Sequence, residues 1–268
     1  MISFPHAKIN IGLRILSKRP DGYHNIRSVL VPIPFTDVLE VIPTEGEMKY
    51  DFGQGWNEAP EDNLVVKAYR AIEKFRDLQL PPVEIILRKK IPSGAGLGGG
   101  SSDATHMLMM LNDLFELRLT ADDLHDIAKS LGADCPFFLS PQPQLAEGIG
   151  DLLSPYPINL KGWYLTLLLS DISVSTKEAY EGVKPNISGD DIGTSLSLPI
   201  DKWRGLVRNQ FEPHIFNLHP ELRIGKELLY QSGATYAAMS GSGSTLYALS
   251  DHPLSVNGWG GQIWTSQL

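Results

Sequence analysis

The sequence has only one cysteine, Cys135, among its 268 residues. A single cysteine excludes an intrachain disulfide and is typical of proteins from reducing compartments. No apolar run approaches the length of a membrane-spanning helix, about 20 residues. The first ten residues lack the basic start and apolar stretch of a signal peptide. We therefore expect a soluble, cytoplasmic protein that does not contact a membrane.

The sequence also lacks an excess of positive charge. It has 23 Lys and Arg against 31 Asp and Glu, a formal net charge of −8. Nucleic-acid affinity comes mostly from Lys and Arg on phosphates, so we expect no nucleic-acid partner. A phosphate site in this chain must be local and built from backbone N–H groups and a few cations. The pattern does not indicate an oligomeric state.

The secondary-structure pattern mixes strands and helices without regular alternation, which favours an α+β fold. A weak shift in composition predicts two domains, residues 1–150 and 151–268. Alternation from Lys8 to Ile15 predicts a half-buried strand, with Lys8 and Asn10 on one face, about 6–7 Å apart. The pattern alone favours a solvated role for this face over a functional one. Helices are predicted at 63–76, 102–115 and 120–131, and a loop at 188–199.

The most informative segment is glycine-rich and leads directly into the predicted helix at Ser102. Its residues are Pro92, Ser93, Gly94, Ala95, Gly96, Leu97, Gly98, Gly99, Gly100, Ser101 and Ser102. Glycines let the backbone approach a ligand closely, and a helix N-terminus attracts anions. Ser101 or Ser102 could bind a phosphate or Mg²⁺.

Two other interpretations of this segment are weaker. A flexible linker would not run into a strong helix start with Pro, Leu and Asp included. The spacing Gly94-x-Gly96-x-x-Gly99 matches a dinucleotide fingerprint, but the region about 20 residues further on joins two predicted helices instead of ending a strand. The Walker-type pattern is also missing from the sequence.

The segment from Pro92 to Ser102 resembles the central phosphate-binding motif of the GHMP kinases, which include galactokinase, homoserine kinase, mevalonate kinase and phosphomevalonate kinase. Two companion motifs of that family are present in order. Pro5–Asn10 is similar to the first motif, and Met239–Thr245, with Gly241, Ser242 and Gly243, is similar to the third. The resemblance implies a two-domain α+β GHMP kinase fold, with the active site in the interdomain cleft and ATP bound as its Mg²⁺ complex.

Further motifs narrow the resemblance to members that phosphorylate a cytidine-diphosphate-linked methylerythritol on its 2-hydroxyl, in the non-mevalonate route to isoprenoids. These motifs are Ala7–Asn10, Arg19–His24, Glu61–Leu64, Gly132–Phe138 and Ala146–Gly150. Two features depart from the pattern: Cys135 replaces an aliphatic residue, and the tail after Leu249 carries no recognisable motif.

The resemblance also implies roles for individual residues. Asp134 would accept or orient the proton of the substrate hydroxyl, and Lys8 would keep Asp134 ionised and stabilise the transferring phosphoryl group. Asn63, otherwise explained as a helix N-cap, would contact adenine. The remaining predicted contacts are to the sugar alcohol or the cytosine: Asn10, Tyr23, His24, Ile149, Thr176 and Tyr180.

Two alternatives stay open at this point. Another GHMP kinase, acting on mevalonate or homoserine, would not need aromatic residues around a cytosine. A nucleotide-binding regulatory protein would not need Lys8 and Asp134.

Overall fold

A computed structural model describes residues 1–53, 56, 59–186 and 192–268. The predicted loop 188–199 lies partly outside these ranges. The elements of the described residues are the strands β1 (Ile2–Ser3), β2 (His6–Lys18), β3 (His24–Thr36), β4 (Val38–Pro43), β5 (Lys49–Asp51), β6 (Val83–Arg88), β7 (Gln144–Glu147), β8 (Leu152–Pro155), β9 (Tyr164–Leu169), β10 (Tyr236–Met239), β11 (Leu246–Ser250) and β12 (Gln262–Gln267), and the helices α1 (Leu64–Arg76), α2 (Gly99–Leu114), α3 (Ala121–Leu131), α4 (Thr176–Glu181), α5 (Ile192–Leu196), α6 (Glu212–Leu218) and α7 (Pro220–Gln231).

The chain divides into two compact units, each made of several segments. The first unit contains Met1–Ala7, Phe35–Ser93 and Gly98–Pro141, and the second contains Lys8–Pro34, Gly94–Leu97 and Gln142–Leu268. Helices and largely antiparallel sheets occur together, so the predicted α+β class is confirmed. The linear division at residue 150 stays a prediction.

The first unit packs three helices with a four-stranded sheet of order β1-β4-β6-β5. Strands β4 and β6 alternate, so Leu39, Val41 and Ile85 enter the core beside Tyr69 and Leu108. The helix boundaries follow local capping. Asn63 accepts a hydrogen bond from the Val65 N–H at 3.1 Å, and Thr120 and Asp123 form a capping box at the start of α3.

Helix α2 begins at Gly99, three residues before its predicted start at Ser102. Glycine has a low helix propensity, about 1 kcal/mol less favourable than alanine, so the pattern placed Gly99 and Gly100 in the loop. Packing requires glycine at the first position of the helix. A Cβ on Gly99 would lie 2.7 Å from Ile91 Cγ2, so only glycine fits this turn.

The second unit contains two four-stranded sheets, of orders β2-β3-β7-β8 and β10-β11-β9-β12, together with α4 to α7. Leu168, Ile215, Met239 and Leu246 belong to its hydrophobic core. The tail without a motif forms β12, which pairs antiparallel with β9. Part of the predicted loop 188–199 is helix α5, so the loop prediction is wrong for Ile192–Leu196.

The prediction of a half-buried strand from Lys8 to Ile15 is also wrong, because β2 is buried on both faces there. Lys8 and Asn10 are each only 4% exposed. A buried lysine needs hydrogen-bonding partners, and alternation alone could not reveal them. Among the described residues, no helix is long and apolar enough to cross a membrane.

Candidate active site

The glycine-rich segment adopts a backbone that few other residues could follow. Gly94, Gly96 and Gly98 have φ values of +66°, +75° and +71°, in the left-handed region that favours glycine. Gly98 is the N-cap of α2, and its carbonyl accepts a hydrogen bond from the Ser102 N–H at 2.9 Å. The first N–H groups of α2 therefore have no helical acceptor and form the donor set that an anion requires.

Two side chains at the start of α1 and α2 have buried polar atoms without a partner among the described residues. These atoms are Asn63 Nδ2 and Ser102 Oγ. The Asn63 amide therefore caps α1 through Oδ1 and keeps Nδ2 available for another group. The predicted N-cap role is confirmed. The predicted contact with adenine stays a prediction. Buried polar groups normally have partners, so both atoms are candidates to bind a ligand.

The first and third motifs meet at the glycine-rich segment inside the second unit. The Lys8 N–H donates to the Leu97 carbonyl at 2.9 Å, and Ser240 Oγ donates to the Gly96 carbonyl at 2.8 Å. The Asn10 N–H donates to Ser240 Oγ at 3.2 Å. Three segments that are far apart in sequence are thus joined by hydrogen bonds.

The Lys8 and Asn10 side chains bond to each other on the buried face of β2. Lys8 Nζ donates to Asn10 Oδ1 at 2.5 Å, and Asn10 Nδ2 donates to Ser28 Oγ at 2.9 Å. Because both side chains are fixed and buried, the solvated role that the pattern alone favoured is wrong. The predicted catalytic role of Lys8 stays a prediction.

Asp134 lies in the first unit, directly before a short 3-10 helix formed by Cys135–Leu139. The Cys135 N–H donates to the Gly132 carbonyl at 3.1 Å, which closes the turn around Asp134. Thr105 Oγ1, on α2, bonds to the carbonyls of Cys135 at 2.8 Å and Ser101 at 2.9 Å. One hydroxyl therefore connects the turn carrying Asp134 to the start of α2.

The predicted cytosine contacts include a stacked pair of rings. His24 and Tyr180 lie face to face with centroids 4.7 Å apart and planes 19° apart, and Phe211 packs edge-on against Tyr180 at 4.9 Å. Tyr23 is 61% exposed. Burial, with a smaller contribution from Lys18, lowers the pKa of His24 and so favours its neutral imidazole.

The other two predicted substrate contacts are held by local hydrogen bonds. The Ile149 N–H donates to Asp151 Oδ1 at 3.2 Å. Thr176 is the first residue of α4, whose N-cap Ser175 accepts from the Glu178 N–H at 3.1 Å. The cap fixes the start of the helix that carries Tyr180 as well.

Sequence reasoning missed two residues that hold the third motif. Asn209 Nδ2 donates to the carbonyls of Met239 at 2.8 Å and Gly241 at 2.7 Å. Glu212 accepts from the Met239 N–H at 2.8 Å and from Lys226 Nζ at 2.7 Å. Both lie in the stretch Asn209-x-x-Glu212, which has no local pattern that distinguishes them from the neighbouring polar residues.

We expect Asn209→Ala to lower the free energy of unfolding by about 3 kcal/mol, because buried carbonyls lose their donors. Chemical denaturation monitored by circular dichroism measures the change. Asn217→Ala is the matched control, since Asn217 bonds to Arg223 on the exposed surface. A loss below about 1 kcal/mol for Asn209→Ala would contradict a supporting role.

Two models of one protein family match this chain. The family model described as "GHMP kinases N terminal domain" matches residues 63–141, and that described as "GHMP kinases C terminal" matches residues 200–257. A 4-diphosphocytidyl-2-C-methyl-D-erythritol kinase from Bacteroides fragilis is 47% identical over 253 residues, 93% of this chain and 92% of that protein.

Solved structures show the same fold. A crystal structure of 4-(cytidine 5'-diphospho)-2C-methyl-D-erythritol kinase superposes with a TM-score of 0.82 at 31% identity, covering 99% of this chain and 98% of that one. Homoserine kinase from Cytophaga hutchinsonii has a TM-score of 0.69 at 17% identity, covering 98% and 95%. The second similarity concerns the fold alone.

Proposed function

Because the chain belongs to the GHMP kinase family, we propose that it transfers the γ-phosphate of ATP to the 2-hydroxyl of 4-diphosphocytidyl-2-C-methyl-D-erythritol, a step of the methylerythritol phosphate route to isoprenoid precursors. The chain is an ATP-dependent small-molecule kinase. The observation that carries this assignment is the set of hydrogen bonds that joins Lys8, Leu97, Gly96 and Ser240. It occurs in a chain whose relatives include proteins that are 44–47% identical and bear that kinase's name.

The proposed ATP site is formed by the glycine-rich segment and the start of α2. Phosphate oxygens would accept hydrogen bonds from the first N–H groups of α2, and Asn63 Nδ2 would bond to adenine. The buried hydroxyl of Ser102 fits either a phosphate or Mg²⁺, which usually keeps waters and takes few protein ligands. Mg²⁺ bound with ATP would neutralise charge on the phosphates.

The transfer forms a bond between the substrate oxygen and the γ-phosphorus and breaks the bond from that phosphorus to the bridging oxygen of ADP. Asp134 would receive or orient the hydroxyl proton, and Lys8 would stabilise negative charge on the transferring group. An ordinary aspartate, with a pKa near 3.9, is a weak base toward an alcohol. Because phosphoryl transfer has a loose transition state, orientation by Asp134 matters more than its basicity.

The substrate base would be recognised by His24, Tyr180, Tyr23, Thr176 and the backbone at Ile149. A neutral imidazole has one nitrogen that accepts and one that donates, so His24 can bond to the cytosine edge, where the exocyclic amine donates and N3 accepts. A kinase for mevalonate or homoserine would gain nothing from this aromatic set. A cytoplasmic location belongs to the same proposal, because the only cysteine is a buried free thiol.

The test is a direct assay of the purified chain with ATP and three acceptors: 4-diphosphocytidyl-2-C-methyl-D-erythritol, mevalonate and homoserine. Mass spectrometry should detect one added phosphoryl group on the cytidine substrate and equimolar ADP. Phosphorylation of mevalonate or homoserine instead would assign a different GHMP kinase. ATP binding without phosphorylation of any acceptor in single-turnover experiments would favour a regulatory protein.

We expect His24→Ala to narrow the preference for cytidine over uridine substrates, whereas Tyr23→Ala should weaken both alike. A buried polar group without its partner costs about 1–3 kcal/mol, so the preference should fall about tenfold. The measurement is kcat/KM for matched cytidine and uridine substrates in both variants and the unaltered chain. An unchanged ratio in His24→Ala would assign the discrimination to the backbone near Ile149.

A further inference from the structure

A cluster of one lysine and two aspartates is buried in the first unit, next to the glycine-rich segment. Lys89 Nζ bonds to Asp37 Oδ2, and to Asp103 Oδ2 at 2.6 Å. The Asp37 side chain is fully buried, that of Asp103 is 3% exposed and that of Lys89 is 25% exposed. The motifs that resemble the kinase family account for none of these three residues.

The three side chains connect both ends of the glycine-rich segment. Asp37 Oδ1 accepts from the N–H groups of Lys90 at 2.5 Å and Ile91 at 2.8 Å, immediately before Pro92. Asp103 lies on α2, immediately after Ser102. Lys89 thus joins the segment before the glycines to the helix after them.

The start of α2 is closely packed against the residues that precede Pro92. A Cβ on Gly99 would lie 2.7 Å from Ile91 Cγ2 and 3.1 Å from Lys89 Nζ. The start of α2 therefore lies directly against the segment that Asp37 holds, and movement of either end requires the salt bridges to break.

Burying these charged groups costs free energy, which indicates that the cluster has a function. It has two carboxylates for one ammonium, and Asp103 Oδ1 is buried without a hydrogen-bond partner among the described residues. Burial raises the pKa of Asp103 to about 7, although Lys89 opposes the shift. Burial lowers the pKa of Lys89, but the attraction of its ammonium to Asp103 and Asp37 is stronger, so the pKa is raised overall.

We infer that Asp37, Lys89 and Asp103 are positioning residues for ATP, which hold the two ends of the glycine-rich segment in the conformation that binds phosphate. Holding a loop in its bound conformation improves affinity because less conformational entropy is lost on binding. The three residues act through the backbone of the segment and through α2. The inference rests on the proposed ATP site and names the residues that support it.

The test is a graded series at Asp103. Asp103→Leu removes the acceptor, and Asp103→Asn keeps a neutral oxygen that still accepts from Lys89. We expect the Kd for ATP to rise about tenfold in Asp103→Leu and about threefold in Asp103→Asn. The Kd for the cytidine substrate should stay within about twofold in both variants. Calorimetric titrations measure both constants, and Asp51→Asn, which removes an exposed ion pair with Arg88 in the same unit, is the matched control.

Thermal stability separates a positioning role from a structural one. The pKa of Asp103 lies above its unfolded value, about 3.9, so the native state binds more protons between about pH 4 and 7. The contribution of Asp103 to the free energy of unfolding therefore falls as pH rises through that range. At pH 8, Asp103→Asn should keep or raise the melting temperature while it weakens ATP binding.

Unchanged ATP affinity in both variants would overturn the inference. A lower melting temperature together with equal losses of ATP affinity and acceptor affinity would also overturn it, because it would show a purely structural role. The inference is independent of the acceptor. If the unaltered chain binds ATP but does not phosphorylate the cytidine substrate, the proposed function fails and the graded series still decides the role of Asp103. If the unaltered chain does not bind ATP, both are overturned.

Discussion

Asp134→Asn should lower kcat by about a hundredfold or more, equivalent to about 3 kcal/mol of transition-state stabilisation. Asparagine keeps the size of the side chain but cannot accept the hydroxyl proton and carries no charge. The turn around Asp134 is fixed by the Cys135 N–H and by Thr105, so the substitution should leave the backbone in place. Substrate and ATP affinities should therefore change little.

Steady-state rates with both substrates saturating, together with calorimetric Kd values, separate the two effects. Asp126→Asn is the matched control, because Asp126 lies on neighbouring α3 with its side chain 76% exposed. If Asp134→Asn retained near-normal kcat, another group would have to receive or orient the proton.

Gly96→Val should abolish measurable ATP binding and also lower the melting temperature. Gly96 has a φ of +75°, and a Cβ there would lie 2.0 Å from the Ser240 carbonyl oxygen. Neither backbone can absorb such an overlap without a shift, so the glycine-rich segment and the third motif would separate. From the glycine-rich pattern alone, a side chain at this position would only block the approach of phosphate and leave the fold largely intact. The contact with Ser240 changes that expectation.

Gly94→Val is the informative comparison for Gly96→Val. Gly94 has a similar φ of +66°, but a Cβ there would have only Ser173 Oγ nearby, at 3.7 Å. Both variants carry the backbone strain, and only Gly96→Val carries the overlap. Equal losses of ATP affinity and melting temperature in the two variants would show that strain is sufficient, and normal ATP affinity in folded Gly96→Val would refute the prediction.

The sequence predicted the features that depend on short-range patterns. Asn63 caps α1 as expected, and α3 begins directly after its N-cap Thr120, at the start of the predicted helix, because capping involves residues two or three positions apart. The motif order also predicted the family and fold, which the comparisons confirm.

Features that depend on distant contacts were not predictable. The burial of Lys8 and Asn10 depends on Ser28 and on the rest of the second unit, so alternation along β2 gave the wrong exposure. Strand β12 carries no motif, and it forms by pairing with the distant strand β9. Asn209 and Lys89 act on segments about 30 and 14 residues away, so no local pattern identified them.

In the proposed cytosine site, the stacked ring of His24 competes with the incoming base for the face of Tyr180. A base that is to stack on the same face of Tyr180 must first displace the imidazole. An aromatic pair contributes about 0.5–1.5 kcal/mol. The state in which His24 has moved off Tyr180 is therefore populated about two- to tenfold less than it would be without the pair. The apparent affinity for every base falls by that factor. A base that bonds to the displaced His24 recovers this loss, and one that cannot bond to it does not. The ring pair thus lowers the affinity for every base alike, and in the proposed site the bond to the displaced His24 is what favours cytidine over uridine.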